Sequence, residues 1–217
     1  MKKTITQTTL LIAMLAIGLG SCKKDKDTDP VSMPPPTPNP EEVITTFQIS
    51  FTDSASGTVK TYIFKDPDGP GGQSAYYGPT ATLQSDSVIQ LSANSTYFAS
   101  IHLLDETKSP VDTISKEVKE EGADHMFFYE GGSNSIVYMG NPYTVILVDN
   151  GVKITYTDLD DGTPQLGIGL TTRWRSASSS TVKLPLNITL KHQPDVKDGT
   201  FPPGETDITV DFKLIVN

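Results

Sequence analysis

Ile208-Thr209-Val210-Asp211-Phe212-Lys213-Leu214-Ile215-Val216 places an apolar residue at every second position. Successive side chains of a strand point to opposite faces, so this run reads as a strand with one buried face. The rhythm recurs upstream. Val43, Thr45, Phe47, Ile49 and Phe51 alternate with mostly polar residues, as do Tyr97, Ala99, Ile101 and Leu103, and Leu184, Leu186, Ile188 and Leu190. Further strands are predicted over Val59–Lys65, Ser87–Leu91, His125–Tyr129, Tyr143–Val148, Val152–Asp158 and Leu166–Arg175.

Turn chemistry separates these runs. Asp149-Asn150-Gly151 predicts a hairpin with a type I′ turn, because Asn-Gly accepts positive φ. Ser176 to Ser180 should join another antiparallel pair, and Pro185, which cannot donate to a ladder, implies an edge or a bulge. One helix is expected, with Ser109 as cap, Pro110 at its first position and Val111, Ile114 and Val118 as its apolar stripe; Gly122 would end it. About nine strands, one short helix and no βαβ rhythm predict an all-β, immunoglobulin-like antiparallel sandwich, with a small barrel as the alternative.

Residues 1–42 have a different character. Lys2 and Lys3, the apolar run Leu10 to Leu19 and the site Leu19-Gly20-Ser21-Cys22 resemble a bacterial lipoprotein signal with its lipobox. The apolar run is too short to span a bilayer. The resemblance implies that residues 1–21 are removed and that Cys22 becomes the lipidated first residue of an outer-membrane lipoprotein, periplasmic or surface-exposed. Cys22 is the sole cysteine, so no thiol remains for a disulfide, a metal site or a nucleophile. Residues 22–42, a Lys/Asp run followed by Pro34-Pro35-Pro36, Pro38 and Pro40, form the expected disordered tether, reaching up to ~60 Å in polyproline geometry. Residues 43–217 then make one domain of about 175 residues.

The 17 basic and 26 acidic residues give a net charge of −9; losing Lys2 and Lys3 leaves −11. Such a surface disfavours nucleic acid as a partner.

The candidate chemistry is sparse. His125 and His192 fall near one rim, where two imidazoles, helped by Asp124, could hold a transition metal or haem iron; otherwise they are hydrogen-bonded histidines unrelated in space. His102 falls on the opposite parity to Ile101 and Leu103, facing outward or toward the helix. Asp66 and Asp68 beside Gly69, and Asp158 and Asp160 beside Gly162, have alternate carboxylates suited to calcium, although such loops are also ordinary strand connections. Tyr76 and Tyr77 could offer a stacking surface or cover one end of the sandwich. Trp174 shares parity with Leu170 and Thr172 and is expected in the core. Ser180-Thr181-Val182-Lys183 satisfies Ser-x-x-Lys by chance, since it enters a strand, and no other enzyme motif is present.

Phe64-Lys65-Asp66-Pro67-Asp68-Gly69, Leu103-Leu104-Asp105-Glu106-Thr107, the stretch from Glu120 to Phe128, Thr157-Asp158-Leu159-Asp160-Asp161-Gly162, Leu190-Lys191-His192-Gln193-Pro194 and Gly204-Glu205-Thr206-Asp207-Ile208 resemble a family of small Bacteroidota lipoproteins. Some of its members carry the label "type 1 periplasmic binding fold superfamily protein", a fold of two α/β lobes that the strand pattern here does not match. The expectation is a non-enzymatic binding or accessory module on the outer membrane, with a TonB-dependent transporter as partner. The alternative is a metal or haem carrier using His125 and His192.

Overall fold

A computed structural model describes residues 42–69, 74–79, 87–133, 135–138, 143–179 and 182–217. The leader, Cys22, nearly all of the tether, Pro70 to Gly72, and Ser180 with Thr181 lie outside the described residues.

Among the described residues, twelve strands and one α-helix follow in order: β1 Thr46–Asp53, β2 Val59–Lys65, β3 Tyr76–Tyr77, β4 Val88–Leu91, β5 Thr96–Leu104, α1 Ile114–Glu120, β6 His125–Gly131, β7 Ser135–Tyr138, β8 Thr144–Leu147, β9 Val152–Tyr156, β10 Thr171–Ser176, β11 Leu184–His192 and β12 Glu205–Val216. They form the all-β sandwich that the alternation predicts. One sheet has the order β3-β2-β1-β5-β10-β9-β8-β7 and the other β4-β12-β11-β6, more strands than the nine expected. Pairing is antiparallel except between β12 and β4, which run parallel.

The alternating residues meet between the sheets. Phe47, Ile49, Phe51, Trp174, Ile188, Val210 and Phe212 are buried, and Phe47 reaches across to both Phe127 and Phe212. Phe51 meets Trp174 edge to face at 5.1 Å, and Tyr129 meets the same indole at 5.5 Å. Truncating such a buried ring costs about 3–5 kcal/mol. Buried tyrosine hydroxyls are satisfied by backbone carbonyls: Tyr129 donates to Gly169, Tyr143 to Gly199 and Tyr156 to Phe127.

Four local expectations are corrected. The strand expected over Leu166–Arg175 begins only at Thr171, because Gly167 and Gly169 pass against the Tyr156 ring, where an added Cβ would sit 2.5–2.6 Å from it. The helix begins at Ile114, not near Pro110, because Asp112 exchanges backbone hydrogen bonds of 3.1 Å with Asp105. Ile114 and Val118 are buried as expected, while Val111 is exposed. Residues 149–151 do make a hairpin, but through a 3-10 turn at Val148–Asn150 with Gly151 alone left-handed (φ 61°), so the loop has four residues instead of two. Pro185 lies in a central strand, tolerated at its second residue because pairing with β6 starts only at Leu186. Among the described residues no helix is long and apolar enough to cross a membrane.

Candidate functional site

The starts of β1, β6 and β12, the ends of β2, β5 and β11, and α1 all lie at one end of the sandwich. Glu121 caps α1, its N–H donating to the Glu117 carbonyl at 2.8 Å. A single turn then leads into β6 at His125. The His125 Nδ1 lies 3.2 Å from the Glu121 carbonyl, which can only accept, so Nδ1 carries the proton and Nε2 presents a lone pair. Metal-binding histidines have this arrangement, with the second nitrogen anchored to a carbonyl.

β11 pairs with β6 so that His192 lies directly opposite His125. The two rings stack with centroids 4.6 Å apart and an interplanar angle of 15°. His125 is wholly buried and His192 nearly so. Burial, with smaller contributions from His192 and Lys197, pushes the His125 pKa down to about 4, against opposing pulls from the Glu121 carbonyl and Asp124. The ring is therefore neutral at pH 7, the form that ligates a metal.

Asp207 joins them through a bulge. Leu190 pairs with Ile208 and Lys191 with Thr206, leaving Asp207 as the extra residue of β12. Simple alternation with Ile208 and Val210 would turn Asp207 outward, but a bulge re-aims a side chain. Its Oδ2 lies 3.8 Å from His125 Nε2, with both side chains at most 1 % exposed. His125 Nε2 has no hydrogen-bond partner among the described residues. A lone pair facing a carboxylate is repulsive unless a cation or a proton lies between them.

The ligating atoms of Glu121, His125 and His192 lie within 4.8 Å of one another. Tetrahedral zinc, with bonds of 2.0–2.2 Å, needs its ligand atoms about 3.4 Å apart and the in-plane lone pairs of both imidazoles converging, so binding would turn the rings out of their stack as well as draw the set together. Two imidazoles with carboxylates suit zinc and similar divalent transition metals. Two rings stacked on each other cannot take opposite faces of one haem iron, so a bis-histidine haem does not fit. A further acid, Glu42, interacts electrostatically with the carboxylates of the cluster. Glu42 hydrogen-bonds Glu117; burial first, then Glu117, Asp207 and Glu121, push the Glu42 pKa up to about 7.

The other predicted residues fall elsewhere. Asp124 lies next to His125, but the grouped carboxylate belongs to Glu121; the Asp124 carbonyl accepts from Gln193 N–H at 2.6 Å. Asp158 accepts from the N–H groups of Gly169 and Thr171 at 2.9 and 3.0 Å. Asp160 accepts from Gly162 and Leu166 N–H and pairs with Lys197 Nζ at 2.7 Å, both side chains 3 % exposed. The Lys197 ammonium thus pairs with one of the two carboxylates considered for calcium, and the loop is a strand connection closed within the chain. Asp66 has a partly buried carboxylate whose pKa burial and Asp68 raise, on a loop only partly described. Asp66 and Asp207 line the same cavity of about 300 Å³. Tyr77 packs on Phe64 and Phe212 and donates to the Asp211 carbonyl, so it covers the sandwich instead of offering a stacking face, and Tyr76 pairs with Lys65 in the same edge strand. His102 is exposed and Trp174 wholly buried, as parity predicts.

Sequence reasoning missed Glu121 and Asp207. Glu121 is brought to His125 by the turn between α1 and β6 and not by a shared helix face, so its spacing from His125 carried no signal that the sequence alone could use. Asp207 carried none either, because its orientation depends on the bulge. Comparison with protein families, curated proteins and solved structures finds no match to this chain.

Proposed function

We propose that this chain is a lipoprotein anchored through Cys22 at the outer membrane, whose sandwich domain binds a divalent transition-metal ion, with zinc as the best fit. The domain does no catalysis of its own; it holds the ion at His125, His192 and Glu121, with Asp207 alongside. The observation that carries the reading is the His125–His192 pair. Its buried Nε2 lone pair, fixed by the Glu121 carbonyl, points at the Asp207 carboxylate 3.8 Å away. Holding a lone pair and a carboxylate together in a buried rim is costly without a cation or a proton to share, and a divalent ion would also engage His192 and Glu121. A transporter of the TonB-dependent class would be the natural recipient of such a cargo in that location.

Calorimetric zinc titration of the full chain, purified in detergent, should give one equivalent bound, lost in both His125→Gln and His192→Ala. Binding that survives both changes, or no binding at micromolar zinc, would overturn the assignment. The anchoring is read separately: Cys22→Ser should move the protein out of the membrane fraction, and mass spectrometry of the native N-terminus should find acyl chains on Cys22.

A further inference from the structure

The two sheets separate along one side of the sandwich, where β6 is the edge strand of the smaller sheet and β7 that of the larger. We infer that the cavity on this side binds a single bulky apolar amino-acid residue in amide linkage, such as an acylated amino acid, through the main chain of Tyr129. The cavity is half-open and measures about 320 Å³, at the small end of the usual range for ligand sites. Its apolar walls are Phe128 of β6, Val137 of β7, Tyr143 and Val145 at β8, and Phe201 from the loop before β12. They are held in place within the chain. Phe201 meets Phe128 edge to face at 5.3 Å, and the Tyr143 hydroxyl donates to the Gly199 carbonyl at 2.9 Å.

The polar part of the site follows from the β6 ladder. In an antiparallel pair, successive residues turn their N–H and C=O groups to opposite sides of the strand. Phe127 turns its groups away from β11: its N–H donates to the Ile168 carbonyl at 2.7 Å, and its carbonyl accepts from the Tyr156 hydroxyl. Gly131 does the same toward the Ser135 hydroxyl, which bonds its N–H at 3.2 Å and its carbonyl at 3.1 Å. Tyr129 lies midway between them on the same parity, so its N–H and C=O also face away from β11, and Tyr129 lines the cavity. Among the described residues neither group has a partner, although Tyr129 is only 2 % exposed. Buried main-chain groups are rarely left in that state. The Tyr129 ring is already engaged with Trp174 and its hydroxyl with the Gly169 carbonyl, so the main chain is what it offers a ligand. Because Phe127 and Gly131 are closed on either side, the open edge is one residue long. It cannot take an added strand, but one residue can exchange both hydrogen bonds with Tyr129 while its side chain enters the apolar walls. Glu130 lines the same cavity and favours a neutral amide over a free carboxylate.

The test uses the full chain in phosphatidylcholine vesicles, since detergent could itself enter an apolar cavity, with N-acetyl-phenylalanine amide as the probe. Equilibrium dialysis against empty vesicles should give a dissociation constant of about a millimolar or tighter. N-methylation of the probe's phenylalanine nitrogen removes the donor to the Tyr129 carbonyl and should weaken binding about tenfold. Val137→Glu, at a position already 48 % exposed and so tolerant of the change, puts a charge into the cavity and should abolish binding with the melting temperature unchanged. A capped pentapeptide with phenylalanine at its centre should bind more weakly than the single residue, because its flanks find Phe127 and Gly131 already bonded. No binding at millimolar probe, equal binding of the methylated probe, or binding that survives Val137→Glu overturns the inference. Tighter binding of the pentapeptide overturns it too, since that would mean strand addition.

Discussion

Two polar clusters share one end of the sandwich and differ in how their atoms are used. In the loop after β9, Asp158 and Asp160 direct their oxygens at backbone N–H groups and at the Lys197 ammonium, which also donates to the Gly122 carbonyl at 2.7 Å. That cluster supplies its own cation. At the rim formed by β6 and β11, His125 presents a buried acceptor toward another acceptor, Asp207, with Glu121 close by. The residue types at both places fit a metal site. What separates them is that Lys197 closes the first, whereas His125 Nε2 in the second has no hydrogen-bond partner among the described residues, and composition cannot show that.

The largest expected effect would come from breaking the closed cluster. Lys197→Met leaves the Asp160 carboxylate buried without its partner and should cost about 3–5 kcal/mol in denaturant unfolding. Millimolar calcium should not raise the melting temperature of the unaltered protein; a clear rise would mean that the loop binds calcium despite Lys197.

The open cluster should reveal itself through pH. The folded His125 pKa is lowered to about 4, below the ordinary value near 6.5. Above 6.5 the ring is neutral in both states, and stability is complete. As pH falls from 6.5 to 4, the unfolded chain takes up a proton that the folded one refuses, so stability declines, by at most about 3 kcal/mol. Glu42 acts in the opposite sense. Its folded pKa is raised to about 7, so its contribution is present below about 4.5 and lost as pH rises through 7. Being half-exposed, it should weigh less. Denaturation series from pH 4 to 8 should therefore show a net acid-side loss that is reduced in His125→Gln.

Zinc gives a comparable effect of opposite sign. At a free concentration one hundred times the dissociation constant it should stabilise the protein by about 2.7 kcal/mol, read as a rise in melting temperature and absent in His192→Ala. The smallest effect is expected at Asp124. Lying outside the grouped ligands, Asp124→Asn should change zinc affinity by less than about fivefold, the scale of a solvent-screened charge. A larger loss would place Asp124 among the ligands and redraw the line between the clusters.

How much of this was legible in the chain depends on how local each feature is. Ile208 to Val216, Phe47 to Phe51 and Trp174 between two arginines were readable, because parity within a strand is a property of neighbouring residues. The hairpin at Gly151 was readable for the same reason, although the length of its loop was not. The broken strand at Gly167 and Gly169 was hidden, since those glycines answer to the Tyr156 ring across the sheet.

By itself the sequence determined the layered all-β architecture, the membership of the core and the polar character of one rim, because alternation and burial follow from local pattern. Only the tertiary structure decided that His192 lies opposite His125, that a bulge turns Asp207 inward and that Lys197 closes the aspartate loop. Each of these depends on register between segments distant in the chain, and register is set by the packing of the whole sheet.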